Sequence, residues 1–178
     1  MAKLLIVYAT TEGQTAKIAR RIAETAGARG HAVETRSARD LPRRFSLETF
    51  DAVIVGASLH YGKYQKDIQN FVGRHLDALK GRPSAFFSVS GAAAGKENGR
   101  QAAEDLARKF LRGAGWQPDQ MASFAGAIVY TQYGFFKRLL MKRVVGSAGG
   151  PTDTSRDHEF TDWEAVARFA EGFLARLD

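Results

Sequence analysis

A short polar loop near the start of the chain has the clearest chemical pattern. Residues 10–15 read Thr-Thr-Glu-Gly-Gln-Thr and follow an apolar run directly. Hydroxyl groups beside the free N–H groups of a following helix can bind a phosphate without a lysine or a metal ion. The simpler interpretation is that Thr10 or Thr11 caps that helix, and the loop alone does not decide between the two. The phosphate interpretation assigns to the site Thr10, Thr11, Glu12, Gly13, Gln14 and Thr15.

Other motifs that carry chemistry are excluded. The loop has one glycine, Gly13, where a dinucleotide-binding loop needs three. Residues 91–97 place Gly95 and Lys96 at the wrong spacing for a Walker loop, and no hydroxyl follows the lysine. The chain has no cysteine, which excludes disulfides, thiolate metal sites and cysteine nucleophiles. No nucleophile elbow is present, and no metal site is expected, because His31, His75 and His158 have no ligand spacing.

The polar loop must be held by a strand and a helix, and the chain alternates such elements throughout. Apolar runs predict strands at 4–9, 50–57, 84–90 and 121–130, with a weaker candidate at 31–36. Helical spacing of apolar residues predicts helices at 15–29, 65–79, 98–112 and 161–177. The last helix opens with a capping box in which Thr161 caps and Glu164 reaches back.

This alternation predicts an α/β fold. Five strands fit one parallel sheet of order 2-1-3-4-5 with helices on both faces, and ligands are expected at the carboxyl ends of strands 1, 3 and 4. We find no repeat, linker or low-complexity tract, so residues 1–178 are expected to form a single domain.

The polar loop resembles the FMN-phosphate loop of flavodoxins, T-x-T-G-x-T. Thr10, Gly13 and Thr15 match that pattern, whereas Glu12 replaces a hydroxyl residue. We expect the Glu12 side chain to point away from the phosphate and to leave its backbone N–H as a donor. The resemblance implies a flavodoxin-like fold and an FMN cofactor.

Further segments, in order along nearly the whole chain, are similar to the bacterial flavodoxin-like, quinone-dependent protoporphyrinogen IX oxidases (dehydrogenases). They are Gly-Gln-Thr at 13–15, Gly-Ala-Ser at 56–58, Tyr-Gly at 61–62, 83–86, 107–111, 116–119, 125–127, Gly-Gly at 149–150, 152–154 and 160–164. The resemblance implies an enzyme of heme biosynthesis. Such an enzyme oxidises protoporphyrinogen IX to protoporphyrin IX and passes the electrons to menaquinone or ubiquinone.

The same resemblance implies two further loops at the flavin. One edge of the ring system would meet Ala57, Ser58, Leu59, His60, Tyr61 and Gly62. The other edge would face the N–H groups of Ser88, Val89, Ser90 and Gly91. Tyr61 is the best candidate to stack on the ring, or else an aromatic that anchors its loop. His60 is either a solvated loop histidine or the catalytic group that accepts protons near the flavin.

Residues 134–146 are the most unusual stretch, because apolar bulk alternates with four cations. They are Lys137, Arg138, Lys142 and Arg143. Such a helix is typical of a membrane interface, although a core helix with snorkelling cations has the same composition. A quinone co-substrate favours the membrane. Tyr130 and Tyr133 precede this segment and are expected to line the substrate opening.

The net charge of +7 indicates an anionic partner. Lys63 and Lys66, or the cations at 137–143, are candidates to pair with the propionates of the tetrapyrrole. An anionic membrane surface is the other expected partner. No nucleic acid is expected, because the chain has no helix-turn-helix, aromatic RNA-binding pattern or basic tail.

The alternatives are a flavodoxin-type electron carrier, an NAD(P)H:quinone reductase and a non-catalytic binding module. Positive net charge counts against the carrier, because such carriers usually present an acidic face. With no secretion signal or membrane-spanning run in the sequence, we expect a cytoplasmic protein, peripheral on the cytoplasmic face of the inner membrane. The oligomeric state is left open, with a homo-oligomer as one alternative.

Overall fold

The computed structural model describes residues 1–94, 97–147 and 149–177, so Gly95 and Lys96 of the rejected Walker-like segment lie outside the described residues. The strands are β1 Lys3–Ala9, β2 Ala32–Ser37, β3 Ala52–His60, β4 Lys63–Tyr64, β5 Ser84–Ser90, β6 Gln120–Ala125, β7 Ala127–Ile128 and β8 His158–Glu159. The α-helices are α1 Gln14–Ala28, α2 Lys66–Arg74, α3 Leu76–Lys80, α4 Glu97–Ala114, α5 Phe135–Ser147 and α6 Trp163–Leu174.

The main sheet has the order β2-β1-β3-β5-β6, and these five strands are parallel. Counted along the chain without the short β4, this order is 2-1-3-4-5, so the predicted flavodoxin-like topology is confirmed. β3 and β5 are almost entirely buried, as expected for central strands covered on both faces.

Helices cover each face of the sheet and create two apolar cores. Leu5 and Val7 point to one face and pack with side chains of α2 and α4. Leu4 and Ile6 point to the other face and pack with side chains of α1 and α6. This alternation follows the two-residue period of a strand. Each such buried aliphatic side chain contributes about 1.5–3 kcal/mol relative to exposure.

Two predicted elements are each divided in the structure. The helix expected over 65–79 breaks at His75, which has φ −114° and separates α2 from α3. The strand expected over 121–130 ends at Ala125: the N–H of Gly126 still donates to the carbonyl of Ser90 at 3.0 Å, and the chain then leaves the main sheet and enters β7. These two predictions were therefore wrong in extent.

The last helix begins differently from the prediction. Asp162 caps it, since its carboxylate accepts a hydrogen bond of 2.9 Å from the N–H of Ala165. Thr161 is not the cap, since its hydroxyl donates to the carbonyl of Ala125 at 2.7 Å and accepts from the Gln14 amide at 2.9 Å. The predicted capping box is therefore wrong, and the threonine instead anchors the start of α6 to the end of β6.

Residues 127–160 form an excursion between β6 and α6. β7 pairs antiparallel with β8 at its base, and the N–H of Phe160 donates to the carbonyl of Gly126 at 3.0 Å. Val129, Tyr130 and Tyr133 form a small separate core within it. The excursion also contains α5. No helix in the described part of the chain is long and apolar enough to span a membrane.

Candidate functional site

The carboxyl ends of three adjacent strands meet at one edge of the sheet. Ala9 of β1 lies beside Ala57 of β3, and Ala57 lies beside Ser88 of β5. The segments that continue from these strands are therefore neighbours, which is where a parallel α/β sheet binds its ligands.

The polar loop 10–15 forms a tight turn into α1. The Thr10 hydroxyl accepts a hydrogen bond of 2.9 Å from the N–H of Gly13, and Gly13 has a φ of 93°, which only glycine adopts readily. Thr15 is buried in the first turn of α1, and its hydroxyl has no partner among the described residues. Gln14 donates to the Thr161 hydroxyl at 2.9 Å, which ties the loop to α6.

The loop fits a terminal phosphate. A buried polar atom without a partner is costly, and the Thr15 hydroxyl would be satisfied by a phosphate oxygen. Because Thr10 already bonds to Gly13, the helix-capping interpretation accounts for Thr10 but leaves Thr15 unexplained. The residues present therefore fit the phosphate of FMN.

Glu12 connects the loop to the excursion. Its carboxylate accepts a hydrogen bond of 3.0 Å from the Tyr133 hydroxyl and pairs with the ammonium of Lys137 at 3.1 Å. The same ammonium lies 4.1 Å from the centre of the Tyr133 ring. Burial, together with the bond to Glu12, raises the pKa of the Tyr133 phenol far above its usual value. The carboxylate is thus held by the excursion, as suits a side chain expected to point away from the phosphate.

Residues 57–62 form the end of a strand and a tight turn, where the sequence predicts a loop. β3 extends to His60 and turns back through Tyr61 and Gly62 into β4. Both turn residues have positive φ, 50° and 73°, as a tight two-residue hairpin requires. The backbone of Tyr61 thus has a conformation that favours glycine. Its ring is 92% exposed and projects from the edge of the site.

Residues 88–90 belong to β5, and the backbone there pairs with β3 and β6 on either side. Their N–H groups are therefore not all free for a flavin, contrary to the prediction of a loop, and the connection out of the strand begins at Gly91. The side chains are also engaged. Ser88 accepts a hydrogen bond of 2.8 Å from Tyr64, and Ser90 accepts one from the N–H of Ala93.

His60 lies near the Glu12 cluster. Burial lowers the pKa of its imidazole below 6.5, the Glu12 carboxylate opposes this shift, and the Lys137 ammonium adds to it. These effects together favour the neutral form of the imidazole.

The segment 135–147 is a helix with no buried side chain in its described residues, so the core-helix interpretation is excluded. Phe135 and Phe136 are 77% and 84% exposed, and Leu139, Leu140 and Val144 are each about half exposed. Such a contiguous apolar surface is unusual on a protein that stays free in water.

The cations of this segment divide into two pairs. Lys137 is bound to Glu12, and the Arg138 guanidinium donates to the carbonyls of Tyr130 and Tyr133 at 3.0 and 3.2 Å. Lys142 and Arg143 are exposed and form no ion pair within the described residues. Only the second pair is available to an external anion.

Two predicted tyrosines do not line an opening. Tyr130 is fully buried and donates to the carbonyl of Pro151 at 2.9 Å, and Tyr133 is 6% exposed. Both rings pack in the core of the excursion, where the Tyr130 hydroxyl also finds its partner, whereas the Tyr133 hydroxyl donates to Glu12 of loop 10–15. Lys63 and Lys66, in contrast, are exposed at the hairpin and at the start of α2, as their predicted role requires.

Gln65 is a site residue that no motif indicated. It precedes α2, and its amide contacts both the Thr11 hydroxyl and the Ser58 hydroxyl. A single glutamine in a polar stretch belongs to no recognisable motif, so its position between Thr11 and Ser58 is visible only in the folded structure.

Comparison with known proteins agrees with this geometry. A family model described as a flavodoxin domain matches residues 5–155. The solved structure of flavodoxin 1 from Bacillus cereus aligns with a TM-score of 0.61 at 19% identity, over 99% of this chain and all of that one. The sheet order and the family match thus define a flavodoxin domain, and the chain belongs to that class.

Two relatives narrow the assignment. A protein from Escherichia coli strain K12, 37% identical over 94% of this chain and 92% of its own length, is named protoporphyrinogen IX dehydrogenase [quinone]. A protein of the same name from Leishmania major is 35% identical over 97% of this chain and 75% of its own length. The chain belongs to this family of oxidoreductases, which confirms the resemblance inferred from the sequence.

Proposed function

We propose that the protein oxidises protoporphyrinogen IX to protoporphyrin IX with a bound FMN, and that the electrons pass to menaquinone or ubiquinone. The observation that carries the proposal is the 37% identity, over 94% of the chain, to a relative named for this activity. The unpartnered Thr15 hydroxyl at the flavodoxin-type loop supports the cofactor.

The flavin, when bound, supplies the redox chemistry by taking electrons from one substrate and giving them to the other. The chain supplies binding and proton transfer. The loop 10–15 holds the phosphate, Tyr61 covers the ring system, and the neutral His60 imidazole accepts a proton released by the substrate. Lys63 and Lys66 attract the propionates.

The acceptor explains the exposed face of α5. Quinones with long apolar tails reside in membranes, and Phe135 and Phe136 present apolar surface beside the free cations Lys142 and Arg143. We propose that α5 lies on an anionic membrane surface, with its apolar side chains at the level of the headgroups.

The activity is tested with the FMN-loaded protein under anaerobic conditions. Protoporphyrinogen and a menaquinone or ubiquinone analogue are added, and porphyrin fluorescence is followed. Quinone-dependent porphyrin formation is expected. Reduced flavin without turnover indicates an electron carrier, oxidation of NAD(P)H by quinone indicates a reductase, and failure to bind FMN overturns the proposal.

The cofactor site is tested with two threonines of α1. Thr15→Val removes the unpartnered hydroxyl, whereas Thr25→Val removes a hydroxyl bonded to the helix carbonyl of Arg21 on the exposed side. A hydrogen bond to a charged group is worth about 1.5–3 kcal/mol, so Thr15→Val should weaken FMN binding by roughly 10- to 100-fold. Thr25→Val should leave it unchanged.

The membrane contact is tested by co-sedimentation with vesicles that contain anionic lipid. Each cation near such a surface contributes about 1 kcal/mol, so the double change Lys142→Gln and Arg143→Gln should weaken binding by about 30-fold. The same double change at Arg43 and Arg44, which are exposed on another part of the chain, is the charge-matched control. Equal losses in both variants would show that net charge, and not α5, directs binding.

A further inference from the structure

Gln65 joins the two segments that would hold opposite ends of a flavin nucleotide. Its Nε2 donates to the Thr11 hydroxyl of the phosphate loop at 3.2 Å and to the Ser58 hydroxyl at the end of β3. Thr11 lies at the expected phosphate end, and Ser58 lies on the strand that continues to the hairpin with Tyr61. The amide therefore lies between the two ends.

The other half of this amide has no partner. Oε1 of Gln65 is buried and accepts no hydrogen bond from the described residues. A buried acceptor left unpaired is costly, and folded proteins rarely keep such a group.

One half of the Gln65 amide lacks a partner in either orientation of the amide. With oxygen and nitrogen exchanged, the two hydroxyls donate to Oε1 and the NH₂ group becomes the unpaired one. In either orientation Gln65 offers one buried polar group to something outside the protein chain.

We propose that Gln65 is a direct ligand of the ribityl chain of the bound flavin. The ribityl chain is the part of FMN between phosphate and ring, and its hydroxyls both donate and accept, so they pair with the amide in either orientation. A phosphate has only acceptor oxygens at full charge and pairs with one orientation alone. The inference rests on the proposed FMN cofactor and adds a residue to its site.

Three flavins separate a ribityl contact from other roles. FMN has phosphate and ribityl chain, riboflavin has the ribityl chain without phosphate, and lumiflavin has neither. Their dissociation constants are measured by flavin fluorescence with the flavin-free protein, its Gln65→Leu variant and a Gln69→Leu control. Gln69 lies one turn further along the chain, in α2, and among the described residues its amide donates to the carbonyl of Tyr64 alone.

A neutral hydrogen bond contributes a net stabilisation of about 0.5–1.5 kcal/mol. Gln65→Leu should therefore weaken FMN and riboflavin by the same factor, about threefold to tenfold, and leave lumiflavin unchanged. Gln69→Leu should change none of the three beyond twofold. In the wild type, the side-chain amide ¹⁵N signal of Gln65 should shift on adding riboflavin and not on adding lumiflavin.

Each other outcome overturns the inference in a distinct way. Equal weakening of all three flavins makes Gln65 a connection between two loops, and Ser58→Ala should then reproduce the effect. If Gln65→Leu weakens the binding of FMN alone, the amide contacts the phosphate. If it weakens the binding of no flavin, Gln65 is not part of the flavin site. If the leucine variant does not fold, Gln65→Ala and the ¹⁵N shift decide. A wild type that binds no flavin overturns the proposed cofactor itself.

Discussion

The hydrogen bond between Tyr133 and Glu12 joins residues 121 positions apart and connects the excursion to loop 10–15. Removing the phenol hydroxyl by Tyr133→Phe should destabilise the protein without changing the packing of the ring. The bond is 3.0 Å long, its acceptor is charged, Tyr133 is 6% exposed and the Glu12 side chain is 18% exposed.

The expected loss of stability follows from these exposed fractions. A hydrogen bond to a charged acceptor contributes about 1.5–3 kcal/mol, and solvent weakens this one little. The Glu12–Lys137 pair is worth less, about 0.2–1 kcal/mol, since the lysine side chain is half exposed. Tyr133→Phe should therefore lower the free energy of unfolding by about 2 kcal/mol. For a chain of this size, that corresponds to a loss of roughly 4–8 °C in Tm.

A double-mutant cycle measures the coupling. Tyr133→Phe, Glu12→Gln and the double variant are unfolded with urea in the flavin-free state, together with Tyr8→Phe as a control. Tyr8 is partly buried, and its hydroxyl forms no hydrogen bond with the described residues, so its loss should cost under about 0.5 kcal/mol. Amide hydrogen exchange should rise in α5 more than in β3 or β5, because α5 has no buried side chain.

Strict additivity would refute this reasoning. If the effects of Tyr133→Phe and Glu12→Gln sum within about 0.5 kcal/mol, the two side chains do not stabilise each other. The excursion would then be held by its own small core and by the base formed by β7 and β8. A coupling above 1 kcal/mol with unchanged exchange in α5 would keep the bond but remove its role in holding the helix.

Three further predictions concern the hairpin and its surroundings. In the flavin-free protein, NMR titration of His60 should give a pKa below 6.5, because burial disfavours the charged imidazole, and Lys137→Met should raise that pKa. Because the imidazole has its higher pKa in the unfolded chain, the unfolded chain takes up the proton first as the pH falls. The contribution of His60 to stability is therefore complete above about pH 6.5 and is lost as the pH falls through the folded pKa. A measured folded pKa at or above 6.5 would contradict this. Gly56→Ala should lower the free energy of unfolding, measured with urea, by about 1–3 kcal/mol. The added Cβ would lie 2.1 Å from the Phe87 ring. A neutral effect would mean that the ring moves aside freely. Tyr61→Gly should relieve the strain of a φ of 50° and leave the flavin-free protein as stable or more stable, yet weaken FMN binding; undiminished FMN binding removes the ring from the site.

The central sheet was predictable because burial leaves a strong trace in sequence. β1 is apolar through most of its length, and β3 and β5 are apolar apart from a few small serines and the end of β3, as is typical of strands covered on both faces. The hydroxyl-rich loop was also predictable, since its chemistry is contained in six consecutive residues. Local signals therefore determined the fold class, and they also supplied the prediction of a phosphate site at loop 10–15.

The missed features depend on partners far away in the chain. Tyr130 and Tyr133 beside a cationic helix have the same appearance whether they are buried or exposed, and only the excursion's own core decides. Thr161 looks like a cap until the carbonyl of Ala125 competes for its hydroxyl. Gln65 gains its role from Thr11 and Ser58, which no local pattern connects to it.

The excursion begins and ends at one point of the fold. Since the Gly126 carbonyl and the Phe160 N–H are 3.0 Å apart, residues 127–160 close a loop whose two ends meet. A short turn between these positions would span the same gap, so we expect the five-stranded sheet to fold with this loop shortened. The surface of α5 that is proposed to contact a membrane and the sheet that carries the proposed flavin site are thus separate parts of the fold. The first can change in length and composition while the second keeps its register.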